Sequence, residues 1–247
     1  MNAIKVLWQR QIKKYIRSRA RIVGSLGQPL LFLLVFGLGF SKIFAAAGQG
    51  SYIKLLAPGI MLMSVVFTAI FTGLEVIWDR QFGFLKETLV APVSRFSIML
   101  GKTLGGATVS LIQGVIVFIV TLIVGFHPIW SGVLQAFLSL FVIGALFSAF
   151  GIALASRMKD MQAFPIIMNF VVMPLFFLSG AIFPVGTASG ILKTLATVNP
   201  LSYGMDFVRG ALTGIYNFSF TTDALILILV TTAMLLWGAY SFSRVEV

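Results

Sequence analysis

Residues 103–156 read TLGGATVSLIQGVIVFIVTLIVGFHPIWSGVLQAFLSLFVIGALFSAFGIALAS, 54 positions without one Asp, Glu, Lys or Arg. As a single helix this stretch would be roughly 80 Å long, far more than a ~30 Å hydrocarbon core holds. His127-Pro128 divides it, with the proline as breaker, into two pieces that can each cross a bilayer once. Other charge-free runs lie on either side, at 22–41, 55–74, 161–192 and 224–243. With allowance for their ends, six transmembrane helices are expected at 22–44, 56–78, 99–126, 129–156, 162–183 and 223–243.

The composition agrees. Of 247 residues, 59% are apolar and 10% charged, against about 25% charged in a soluble domain. A water-soluble chain this short has no way to bury so much apolar surface. A soluble enzyme or a nucleic-acid binder is therefore a poor reading, despite the net charge of +11. The absence of cysteine excludes disulfides and thiolate metal sites, and a single histidine excludes a multi-histidine one. The expected fold class is an all-α membrane protein, a single transmembrane domain over 1–247.

Lysine and arginine counts orient it. The segment before the first span, the loops after the second and fourth, and the tail together hold 14 of the 18 basic residues; Lys42, Lys54, Lys193 and Arg209 fall on the other side. The richer side is expected to be cytoplasmic, with both termini there. The start of the chain mimics a signal peptide, ending in Ala45-Ala46-Ala47. Its apolar run is longer than a signal's, however, and Lys42 interrupts it before the alanines, so it reads as a retained span.

Residues 1–20 form an amphipathic helix. Ile4, Leu7, Trp8, Ile12, Tyr15 and Ile16 share one face, with Lys5, Arg10, Lys13, Lys14 and Arg17 on or beside the other. Such a helix lies in the headgroup plane, with Trp8 and Tyr15 at the polar boundary. After the second span, Glu75 and Asp79 sit four apart, near Arg80. As a helix, 80–92 puts Phe82, Leu85 and Leu89 on one face, with Lys86 and Glu87 beside it. That face suits lipid or a groove on a soluble partner. The acidic pair reads as interfacial charge rather than a proton relay, because it lies at the edge of the span.

Gly101-Lys102-Thr103 copies the end of a phosphate-binding loop, but Phe96 stands where its first glycine should be and no strand precedes it. No cofactor site of the chain's own is expected, and Lys102 reads as an interface anchor. Gly101 and Gly105, Gly106 and Gly114 in the third span, and Ala145 and Ala149 in the fourth, mark small-residue packing stripes. Segment 185–221 reads as two short helices broken at Asn199-Pro200, lying at the outer interface or dipping into the bilayer and returning.

Three pieces together carry a family resemblance: Leu55-Leu56-Ala57-Pro58-Gly59-Ile60-Met61; then Lys86-Glu87-Thr88-Leu89-Val90-Ala91-Pro92-Val93-Ser94-Arg95 with Leu100-Gly101-Lys102; then Phe177-Leu178-Ser179-Gly180-Ala181-Ile182-Phe183-Pro184 with Asn199-Pro200-Leu201-Ser202-Tyr203 and Arg209. In this order the chain resembles, over essentially its whole length, the permease subunits of type-2 ABC exporters. That class includes drug-resistance, nodulation-factor and polysaccharide export permeases. The resemblance implies a homodimer in the inner (plasma) membrane, each half bound to a separate cytoplasmic ATPase that carries the ATP and magnesium. It implies that 80–92 is a coupling helix, that 1–20 is an interface helix, and that 185–215, with Asn199, Pro200, Tyr203 and Arg209, is an outer re-entrant pair. It implies export of an amphipathic or hydrophobic substrate: a drug, lipid or glycolipid. An ion-driven secondary transporter and a non-transporting assembly factor are the alternatives.

Overall fold

The computed structural model describes residues 3–46, 51–90, 92–158, 160–182 and 190–245, and among them there are helices and no strands. The helices are α1 (Ala3–Arg17), α2 (Arg19–Ala46), α3 (Tyr52–Ile70), α4 (Thr72–Gln81), α5 (Phe84–Val90), α6 (Arg95–Ile123), α7 (Val133–Ala155), α8 (Ala163–Leu178), α9 (Ile191–Val198), α10 (Pro200–Thr213) and α11 (Phe220–Ser243). Five stretches are long and apolar enough to cross a membrane: Arg19–Ser41, Tyr52–Gln81, Arg95–Ile123, Trp130–Ala155 and Phe220–Ser243. The chain is a polytopic membrane protein.

The long charge-free stretch divides as its proline predicts. α6 ends at Ile123, a turn containing His127-Pro128 follows, and a 3-10 turn at Trp130–Gly132 leads into α7. The turn is pinned from outside, where the Ile129 amide donates to the Leu212 carbonyl at 2.8 Å. α6 begins earlier than its apolar run, because Ser94 caps it by accepting from the Ser97 amide at 3.2 Å.

Two expectations are revised. The expected fifth span, 162–183, is the 16-residue α8, about 24 Å long and shorter than a perpendicular crossing requires. The helix runs through Pro174 and stops at Ser179, and the end of that expected span at Phe183 lies outside the described residues. The second span is one apolar run in sequence but is broken at Phe71 into α3 and α4. The cause lies on α7. The Ser148 hydroxyl donates to the Ala69 carbonyl at 3.2 Å, and the backbones touch on either side of the break. A Cβ at Gly73 would strike the Gly151 carbonyl, and one at Gly151 would strike the Ile70 carbonyl. A side chain inserted beside the helix ladder is a sufficient reason for a bend.

α7 is the centre of the bundle, packed against α3, α4, α6, α10 and α11. α3 has 14 of its 19 residues buried. The small-residue stripes all work inside this chain. Gly106 faces Thr72 and Ser148, Gly114 faces Val65, and Ala145 and Ala149 are buried. Gly101 and Gly105 instead receive α1, with the Leu7 Cβ 3.0 Å from where a Cβ of Gly101 would stand.

Candidate functional site

The basic side of the bundle gathers α1, the C-terminal end of α4, α5, the start of α6 and the ends of α7 and α11. α1 is held there by its aromatic residues. The Trp8 indole donates to the Thr108 hydroxyl at 2.9 Å, and the buried Tyr15 hydroxyl donates to Gln113 Oε1. Both partners are on α6, so these two side chains point into the bundle rather than along a headgroup plane. A buried phenol needs an acceptor, and α6 supplies one. Burial raises the Tyr15 pKa above its ordinary value, which keeps the hydroxyl a donor. Ile12 is half-buried on the same helix.

Glu75 and Asp79 are buried, and each is shared by two cations. Arg21 lies 2.5 Å and Lys14 3.5 Å from Glu75. Asp79 is paired with Lys102 and lies 3.8 Å from Arg10. Four helices, α1, α2, α4 and α6, thus meet at two carboxylates. Lys102, expected to reach for the interface as an anchor, is instead a buried ion-pair partner. Each acid is committed to fixed cations, which is the arrangement of a structural clasp rather than of a proton relay.

Two arginines that the sequence shows only as positive charge tie helix ends. Arg80 donates to the Ala155 carbonyl at 3.2 Å and also to the Met158 carbonyl. Arg95 donates to the Ser243 carbonyl at 2.7 Å and the Val245 carbonyl at 2.9 Å. Helix C-termini leave such carbonyls without partners and favour positive charge, so both contacts follow from helix physics.

The expected helix over 80–92 is interrupted. α4 ends at Gln81, Gly83 takes φ +80, and α5 starts at Phe84; Ala91 lies outside the described residues. Glycine is the residue that reaches this φ without strain. The break separates the three apolar residues that a continuous helix would align. Leu85 is 0% exposed and Leu89 packs half-buried on the same core, whereas Phe82 is 70% exposed. The outward surface is therefore Phe82, Phe84 and Val90, with Lys86 and Glu87 among them. Periodicity found the segment but not which of its sides is open.

At the opposite end, α9 and α10 meet at Asn199-Pro200 as the sequence predicts. Asn199 Oδ1 accepts from the Leu201 amide at 3.0 Å while its Nδ2 donates to the Leu175 carbonyl at 2.7 Å. Pro200 occupies the first turn, where its missing N–H costs nothing. Tyr203 donates to the Thr197 carbonyl, joining α10 to α9, and buried Arg209 donates to the Gly180 carbonyl at 2.5 Å. Asp206 accepts from the Asn217 amide and side chain and from the Phe218 amide. This end is a hydrogen-bonded cap on the bundle.

No group of three or more metal-ligating side chains occurs among the described residues. The features so far define a class: an integral membrane protein with a clasped basic end and a short amphipathic helix packed on it with one side open. The model of the family described as ABC-2 type transporter matches residues 2–213. The chain is 31% identical over 225 residues to a putative transport permease ycf38 of Pyropia yezoensis, covering 88% of this chain and 76% of that protein. It is 28% identical over 208 residues to the protein of the same name from Cyanophora paradoxa, covering 83% and 72%. It is 27% identical over 206 residues to nodulation protein J of Azorhizobium caulinodans, covering 82% and 81%. The chain belongs to the ABC-2 type transporter family and is a transport permease.

Proposed function

We propose that this permease is the membrane half of an ATP-driven exporter that moves an amphipathic or hydrophobic substrate, a drug, lipid or glycolipid, out of the cytoplasm or inner leaflet. The ATPase is a separate subunit, and ATP and magnesium bind there. Two copies of the chain form the pathway in the inner (plasma) membrane, with the basic end and both termini cytoplasmic. α8 serves as the fifth of six spans, and α9 with α10 re-enters from the outer face.

The observation that carries this reading is α5. It sits on the basic end with Phe82, Phe84 and Val90 outward beside Lys86 and Glu87, while Leu85 anchors it to the bundle. An exposed apolar surface rimmed by charge suits a groove on a soluble partner. Behind it, α4 continues directly into the Glu75 and Asp79 clasp, so a push on α5 reaches α1, α2 and α6 together. ATP drives the change to the extent that it favours the closed ATPase pair over the open one.

The test is co-purification with the ATPase. Phe82→Asp and Phe84→Asp are expected to abolish association while leaving membrane insertion and thermal stability unchanged. Leu85→Asp is unsuitable, because that side chain is buried. Retained association in both variants contradicts the role of α5. Transport that follows an ion gradient without ATP contradicts the whole reading.

A further inference from the structure

A cavity of about 390 Å³ lies between α1, α2, α3–α4 and α6, on the basic half of the bundle. That volume is in the range of small-molecule sites, ~300–1,000 Å³. Its walls are apolar along most of their length: Pro29, Met63, Phe67, Leu74 and Val109, with the partly exposed Phe71 at the edge. One end is polar, where Tyr15, Arg21, Glu75 and Trp78 converge. From Met63 to Trp78 the lining follows about 22 Å of helix, from the depth of the span to its basic end.

Three observations say what this space takes. The Trp78 indole N–H is buried and has no hydrogen-bond partner among the described residues. A buried donor left unpaired is costly, and it marks a place for an acceptor. The charges around that end do not cancel: Arg21 and Lys14 share Glu75 alone, an excess of one positive charge. Gln28, well inside the first span, also lines the cavity, and a polar side chain at that depth belongs beside a cavity rather than against lipid tails.

We propose that this cavity is a binding site for an anionic membrane amphiphile drawn from the adjoining leaflet. Its aliphatic chain lies between α2 and α3, and its anionic head accepts from Trp78 and faces Arg21. The site is a property of one chain and requires neither the ATPase nor transport.

The experiment uses the full-length protein purified without its ATPase, titrated with two single-chain probes that differ in head charge, lysophosphatidylglycerol and lysophosphatidylcholine, with bound lipid counted by native mass spectrometry. The anionic probe is expected to bind at a single saturable site and the zwitterionic one more weakly. Trp78→Phe, which removes the N–H together with one ring of the indole, is expected to weaken the anionic probe roughly tenfold. Gly24 lines the cavity and a Cβ there would meet nothing within 4 Å, so Gly24→Leu adds bulk at the cavity wall. It is expected to exclude both probes at unchanged melting temperature. Equal binding of the two probes, insensitivity to Trp78→Phe, or undiminished binding in Gly24→Leu overturns the proposal. None of these results bears on whether α5 docks an ATPase.

Discussion

α3 and α8 look alike in sequence, each an apolar helix with an internal proline, Pro58 or Pro174. In the fold they are opposites. α3 is enclosed nearly all round, whereas α8 buries only Phe164, Met168, Val172 and Phe176, a single stripe four residues apart. Phe170, on the other side of α8, is 82% exposed. Hydrophobicity therefore does not say whether a membrane helix meets protein or lipid. Between these two helices the small residues differ: α3 carries Ala57, Gly59, Ser64 and Ala69, and Gly59 lies against the Ala181 backbone, while α8 has no glycine and one alanine. Helix backbones approach closely in lipid only where side chains are small.

The strongest way to break this contrast is to add bulk at its tight end. Gly151→Leu is expected to prevent recovery of folded protein, because the α3 and α7 backbones already touch there, a loss of about 3 kcal/mol or more. Fluorescence-detected gel filtration reads it. Phe170→Leu on α8 should pass the same assay unchanged.

Next in size is the clasp. Lys102→Met leaves buried Asp79 with only the distant Arg10 and is expected to cost about 3–5 kcal/mol. Adding Asp79→Asn should restore most of that, since the uncompensated charge goes with it. Melting temperatures of the two single variants and the double variant form the cycle.

A smaller effect is expected from Tyr15→Phe, about 1 kcal/mol from the lost bond to Gln113. Because burial raises the Tyr15 pKa, its contribution is present below the unfolded value of 10.0 and is lost as pH climbs above it. The wild type and Tyr15→Phe should therefore converge in stability at strongly alkaline pH, as chemical denaturation would show.

The smallest change in stability is expected on the open face of α8. Ile166→Ala with Phe170→Ala should alter the thermal stability of the single chain by no more than about 0.5 kcal/mol. If the open face of α8 meets the second copy in the proposed homodimer, the same pair should lower the dimer fraction in detergent. Mass photometry separates the two effects.

Much of this architecture is legible in the sequence because it follows from local chemistry. A proline divides residues 103–156, and Asn199-Pro200 separates two helices, because missing donors and caps act over a few residues. The break at Phe71 is not legible, since its cause, Ser148 and Gly151, lies some 80 residues on. The inward turn of Trp8 and Tyr15 is hidden for the same reason, as Thr108 and Gln113 decide it. Over seven residues, periodicity aligned Leu85 with Phe82, and Gly83 was the available sign that the helix would stop between them. Arg80 and Arg95 carried a usable signal too, since basic residues between spans have helix ends within reach.

The chain has no cysteine, so Phe84→Cys places a single thiol on the outward surface of α5. Cross-linking it in membranes that also hold the ATPase is the most direct measurement of the coupling claim. The account predicts an adduct with the ATPase from Phe84→Cys and none from Val124→Cys at the opposite end. An adduct from Val124→Cys alone, or labelling of Phe84→Cys by an impermeant thiol reagent added outside intact cells, would contradict it.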